Sequence, residues 1–85
     1  MESYNLRVKP SALRELERVP KRVRARLVAK IKALAETPRP VGCQKLAGSD
    51  AYRLRQSDYR VVYTIDDETR VIRVMKIGHR REVYR

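Results

Sequence analysis

The spacing of apolar residues changes period twice along the chain. Near the start Tyr4, Leu6 and Val8 alternate with Asn5, Arg7 and Lys9, and a period of two marks a strand with one buried face. Pro10 ends that run. Ser11 suits a helix N-cap, with Leu13 and Leu16 at helical spacing behind it. Pro20 closes this short helix, and proline is tolerated at the start of the next one. From about Lys21 to Glu36 a second helix is predicted. Val23, Leu27, Ile31 and Leu34 form its apolar stripe, slimmed by Ala25, Ala29, Ala33 and Ala35. Arg22, Arg24, Arg26, Lys30 and Lys32 occupy its other face. Two helices joined through one proline predict an antiparallel helical hairpin. Pro38 and Pro40 stop the helix, and Val41 to Asp50 reads as a loop turned by Gly42 and Gly48.

Period two then returns. Tyr52-Arg53-Leu54-Arg55 alternates strictly, Gln56-Ser57-Asp58 makes a turn, and Tyr59 to Ile65 alternates again. Asp66 to Thr69 forms a second turn. Val71 to Ile77 is apolar on both faces except at Arg73 and Lys76, as a central strand should be. Gly78 is expected to break it, leaving His79 to Arg85 as a short basic tail. Strand, two helices and a three-stranded antiparallel meander predict a single α+β domain over residues 1–85. Its four-stranded antiparallel sheet carries both helices on one face. The first strand has no hairpin partner, so it joins non-locally, beside the last strand.

Charge then narrows the function. Among 85 residues there are 21 Lys+Arg against 10 Asp+Glu, a formal net charge of +11, and arginine outnumbers lysine 15 to 6. Such a field favours polyanions, because neutralised phosphates release condensed counterions. Arginine suits phosphate in particular, since its planar fork makes paired hydrogen bonds. A membrane surface fits less well, because no helix sets large apolar residues such as Trp or Phe, both absent from the chain, against a basic face. No apolar run approaches the ~20 residues of a membrane span, and the polar start does not read as a signal peptide. Cys43 is the only cysteine. It can make no internal disulfide, which points to the cytoplasm, and it reads as a small apolar filler.

The second half holds the candidate chemistry. If Arg55 faces Arg60 across the hairpin, then Arg53 faces Val62, Leu54 faces Val61 and Tyr52 faces Tyr63. Alternation puts Tyr52, Leu54, Val61 and Tyr63 on one face and Arg53, Arg55 and Arg60 on the other. Like charges opposite one another destabilise a sheet, and an anionic ligand would account for them. The alternative is a solvated face with scattered charges. The tail adds Arg80, Arg81 and Tyr84, with His79 beside them, within reach of that face. RNA cleavage by the substrate's own 2′-hydroxyl needs such a set. It requires an aligned phosphate, stabilisation of extra negative charge, and two proton transfers, with no protein nucleophile. Arginine performs the second task and not the last. His79 titrates near neutrality or is a plain surface residue. Tyr84 carries a proton if neighbouring arginines lower its pKa, or stacks on a base. One histidine and one distant cysteine make no metal site. Asp66-Asp67-Glu68 fits turn chemistry, and no glycine loop cradles a phosphate. Neither metal nor cofactor is called for.

The run Tyr52-Arg-Leu-Arg-Gln-Ser-Asp-Tyr-Arg-Val-Val-Tyr63, followed by Ile77-Gly-His-Arg-Arg-Glu-Val-Tyr84, resembles the C-terminal half of the RelE branch of the RelE/ParE toxins. The opening strand with Pro-Ser-Ala-Leu-Arg-Glu-Leu and the Lys45-Leu46-Ala-Gly48 loop extend the resemblance over nearly the whole chain. It implies the RelE-like fold and a type II toxin that enters the ribosomal A site and cuts the codon there by 2′-hydroxyl attack. It also implies a RelB-like antitoxin that wraps and silences the toxin. By the same resemblance Arg60 and Arg80 stabilise the transition state, and Tyr84 orients the nucleophile or carries a proton. Lys45, Arg53, Arg55, Arg60 and Arg81, with Arg22 and Arg26 of the second helix, are expected to bind RNA. Arg53 and Arg55 stand where well-known members carry lysines, which removes acid/base groups and raises the stakes for His79, Tyr84 and Lys45. The chain ends at Arg85 without the C-terminal helix of many relatives, so the active face is expected to be uncovered. Two other readings stand beside this one: a ParE-like toxin acting on DNA gyrase, and an RNA- or ribosome-binding module without chemistry.

Overall fold

A computed structural model describes residues 3–79. Its elements run β1 (Asn5–Val8), α1 (Pro10–Glu17), α2 (Lys21–Ala33), β2 (Gln44–Lys45), β3 (Ala51–Gln56), β4 (Tyr59–Asp66) and β5 (Val71–His79). The strands form one sheet in the order β1-β5-β4-β3-β2. The expected α+β architecture is present, with β1 beside β5. This pair is parallel, so the sheet is mixed rather than wholly antiparallel. A fifth strand also appears, because Gln44 and Lys45, read as loop, pair with Arg53 and Tyr52. Two residues are too few for alternation to register. Gly42 (φ 95°) and Gly48 (φ 70°) provide the left-handed backbone that bends the chain on either side of β2.

The helix boundaries differ slightly from those the periodicity predicts. α1 starts at Pro10 itself, with Lys9 rather than Ser11 at the N-cap. Proline's fixed φ fits the first helical position, where its missing N–H goes unneeded. α2 ends at Ala33 rather than Glu36. There Leu34, Ala35 and Glu36 donate to carbonyls three residues back, a tightened last turn before Pro38 disfavours helical backbone at Thr37. Arg24 caps the end of α1 by donating to the Glu17 carbonyl at 3.2 Å.

The core lies on one face of the sheet. Ala12, Val19, Leu27, Ile31 and Leu34 pack against Leu54, Val61, Tyr63, Ile72, Val74 and Ile77, all nearly inaccessible to solvent. The strand members alternate along β3, β4 and β5, so both helices cover the same side. β5 runs through Gly78 to His79 instead of breaking there. A β-bulge interrupts β4–β5: Tyr63 pairs with Val74 but Val62 with Lys76, so Met75 is the extra residue.

One end of the sheet is braced by aromatic and charged groups. Tyr52 stacks on Tyr63 with ring centroids 5.8 Å apart, and the Tyr63 hydroxyl donates to the Pro38 carbonyl at 2.9 Å. Burial, then the Cys43 side chain, pushes the Tyr63 phenol well above its ordinary pKa. Arg39 donates to the Tyr52 hydroxyl at 3.0 Å and forms an ion pair with Asp67 at 2.9 Å. The Tyr4 hydroxyl donates to the same carboxylate at 2.6 Å. Arg39 first and Tyr4 second hold the Asp67 carboxyl below the ordinary carboxylate range. The ionised carboxylate therefore stabilises the fold above about pH 3.9, and that contribution is lost as pH falls through the lower folded-state pKa. Asp67→Asn is accordingly expected to lower the urea midpoint at neutral pH and to flatten its decline below about pH 4. An acid limb identical to the parent's would show that the carboxylate stabilises nothing.

Candidate functional site

The β3–β4 register is the one expected from the sequence: Arg55 pairs with Arg60, Leu54 with Val61, Arg53 with Val62 and Tyr52 with Tyr63. Gln56 also pairs with Tyr59, and Ser57 takes the left-handed conformation (φ 55°) that a two-residue hairpin loop requires. Leu54, Val61 and Tyr63 are buried under the helices. Alternation then forces Arg53, Arg55 and Arg60 onto the opposite face, which no described helix covers. Arg55 is exposed and Arg53 half-buried, while Arg60 is only 8% exposed. Across β5 from Arg60 stands Gly78, which adds no side chain to compete for that space. Gln44 of β2 pairs with Arg53 and accepts a hydrogen bond from its guanidinium, orienting it from the sheet edge.

Three further cations stand on this face. Arg73 is opposite Thr64, Lys76 opposite Val62, and Arg7 opposite Arg73. At strand positions on this side among the described residues, the only carboxylate is Asp66. It lies at the far end and accepts from the Thr69 backbone N–H at 3.1 Å, which lowers its pKa. The sequence reading missed Arg7, Arg73 and Lys76. Arg73 and Lys76 are three apart, so strict alternation would separate them; the bulge at Met75 brings both to the open side.

Other expected site residues lie elsewhere. His79 pairs with Tyr59 on the helix side of the sheet, with ring centroids 5.7 Å apart edge to face. Glu15, Arg18 and Val19 of the α1 region line the hollow beside it. The sheet's thickness separates the imidazole from the arginine face, because Gly78 and His79 point opposite ways. Lys45, opposite Tyr52, falls on the helix side at the exposed sheet edge. Arg22 and Arg26 are exposed on α2, on the layer opposite the arginines. Arg80, Arg81 and Tyr84 lie outside the described residues. No group of three or more potential metal ligands occurs among the described residues.

The described face can therefore bind phosphate and neutralise charge, and no histidine stands on it among the described residues. Residues 6–84 match the family model described as the ParE toxin of the type II toxin–antitoxin system parDE. The chain is 38% identical to the mRNA interferase toxin RelE of Escherichia coli over 96% of its length and 90% of the relative's. It is 33% identical to toxin RelG of Mycobacterium tuberculosis over 96% and 97%. In structure it is similar to the RelE chain of an archaeal RelE–RelB complex from Pyrococcus horikoshii. That match has a TM-score of 0.84 and 28% identity, and covers 95% of this chain and 99% of that one.

Arg55→Gln tests what holds the arginines together. It should leave the thermal midpoint unchanged or higher, because it relieves a like-charge pair. It should also reduce the salt slope of single-stranded RNA binding by about 0.7. A lowered midpoint with an unchanged slope would make Arg55 structural.

Proposed function

The chain belongs to the RelE/ParE superfamily of type II toxin–antitoxin toxins, and from that premise we propose that it is a metal-independent endoribonuclease acting on messenger RNA in the ribosomal A site. The reading rests on one observation: Arg53, Arg55 and Arg60 share one face of a hairpin, a face that no described helix covers, while the other face is core. A guanidinium cluster suits a phosphodiester whose phosphorus gains negative charge in the transition state. The substrate's 2′-hydroxyl supplies the nucleophile, so the protein aligns the phosphate and neutralises it. Nearly buried Arg60 is the central stabiliser in this proposal, with Arg53 and Arg55 gripping the flanking backbone. Arg80 joins Arg60 and Tyr84 supplies proton transfer or orientation, roles taken from the family resemblance. Metal ions and cofactors have no part in this scheme.

His79 has no place in it, since it faces α1. The ribosome supplies further positioning, and Lys45 and Arg81 contribute to RNA contact, with Arg22 and Arg26 contributing from the helix layer on the other side. A RelB-like antitoxin is the proposed partner, by analogy with the RelE–RelB complex from Pyrococcus horikoshii. Action in the cytoplasm follows from a ribosomal target.

Expression of the chain alone should arrest translation, with message ends mapping inside codons on translating ribosomes. Arg60→Ala and Arg80→Ala should each abolish those ends without losing the fold, whereas His79→Ala should leave rate and pH profile unchanged. Intact message together with trapped gyrase–DNA complexes would transfer the chain to the ParE-like activity. Intact message with salt-sensitive RNA binding alone would leave a non-catalytic module.

A further inference from the structure

The hairpin arginines leave a second group of cations unexplained. Arg7 and Arg73 are directly opposed in the parallel β1–β5 pair, and both are exposed. Like charges in register cost stability, and mixed signs would solvate this face more easily. Lys9 joins Arg7 and Arg73 around a groove of about 370 Å³ floored by Val8, Pro10 and Met75. Among the described residues, none of Arg7, Lys9, Arg73 or Lys76 forms an ion pair.

These residues continue the hairpin cluster across the sheet. Arg60 and Thr64 are four residues apart on β4, and Thr64 faces Arg73. At strand spacing, the Arg60 and Arg73 backbones lie roughly 14 Å apart. Lys76, opposite Val62, stands between them because Met75 bulges out of register. A cation thus recurs at intervals comparable to successive phosphates of an extended strand. Described aromatic side chains of the sheet (Tyr52, Tyr59, Tyr63) all sit on the helix side. Among the described residues, the open face between the cations therefore offers charge without a stacking platform, which suits backbone rather than base.

We propose that Arg7, Arg73 and Lys76 form a second phosphate-binding track that holds single-stranded RNA backbone beside the linkage gripped by the hairpin arginines. It extends the nuclease reading and depends on it. The track binds without regard to sequence, and its contribution grows with the length of the strand that crosses it.

The test uses 2′-O-methyl RNA, which lacks the attacking hydroxyl, at a length of roughly twelve nucleotides, beside a trinucleotide of the same chemistry. Affinity is measured against salt for the parent, the double variant Arg7→Gln/Arg73→Gln, Lys76→Gln and Arg60→Ala. The double variant should lower the salt slope by about 1.4 and Lys76→Gln by about 0.7, at about 0.7 per lost contact. The affinity gain of the long strand over the trinucleotide should shrink in both. The double variant's thermal midpoint should equal or exceed the parent's, and Lys76→Gln carries the test alone if the double variant does not fold. Parent slopes in the track variants, with a reduced slope in Arg60→Ala, would overturn the track and leave the nuclease reading standing. Parent slopes in all variants, Arg60→Ala included, would overturn both. Loss of binding to a poly-glutamate peptide with RNA binding intact would overturn the track in favour of an acidic protein segment.

Discussion

Side-chain alternation in the β3–β4 hairpin is the constraint from which the rest follows. A single register buries Leu54, Val61 and Tyr63 under the helices and turns Arg53, Arg55 and Arg60 to the other side. Slipping the register by one residue would bury the guanidinium groups and expose the core. Hydrophobic burial therefore pins the arginines where their mutual repulsion alone would disperse them. The positions that make the fold and the positions that make the site are interleaved residues of the same strands.

Charge is distributed unevenly over this frame. At one end of the sheet Asp67 is engaged by Arg39 and Tyr4, and Asp66 by the Thr69 backbone. Those carboxylates are occupied within their own turn and brace. On the open face Arg7, Arg73 and Lys76 have no such partner among the described residues. The first arrangement stabilises the chain by itself, and the second is the one that the proposed RNA backbone would complete. In a protein with a net charge of +11, the Arg39–Asp67 ion pair lies at one end of the sheet, and Arg7, Arg73 and Lys76 lie on its open surface.

The division of chemical labour follows from residue type. Guanidinium groups neutralise developing charge but do not move protons at neutral pH. The one imidazole of the chain is turned toward Glu15 and Arg18 on the helix side. In the proposed reaction this leaves proton transfer to Tyr84, to the ribosome or to solvent, and makes electrostatic stabilisation the protein's main contribution.

Much of this was legible from the chain alone. Period two through Tyr52–Arg55 and Tyr59–Ile65 set the hairpin register and the arginine face, because alternation is a local property of extended backbone. Helical spacing through Leu27, Ile31 and Leu34 likewise identified the packed stripe of α2. Tertiary structure decided whatever depended on pairing between distant segments. It made Gln44–Lys45 a strand, set β1 parallel to β5, carried β5 through Gly78, and placed His79 behind the arginines rather than among them. Above all it inserted the bulge at Met75, which reverses the facing of β5 relative to β4 midway and so unites Arg73 and Lys76. A bulge is defined by two strands together, and neither strand's sequence alone records which residue will be left without a partner.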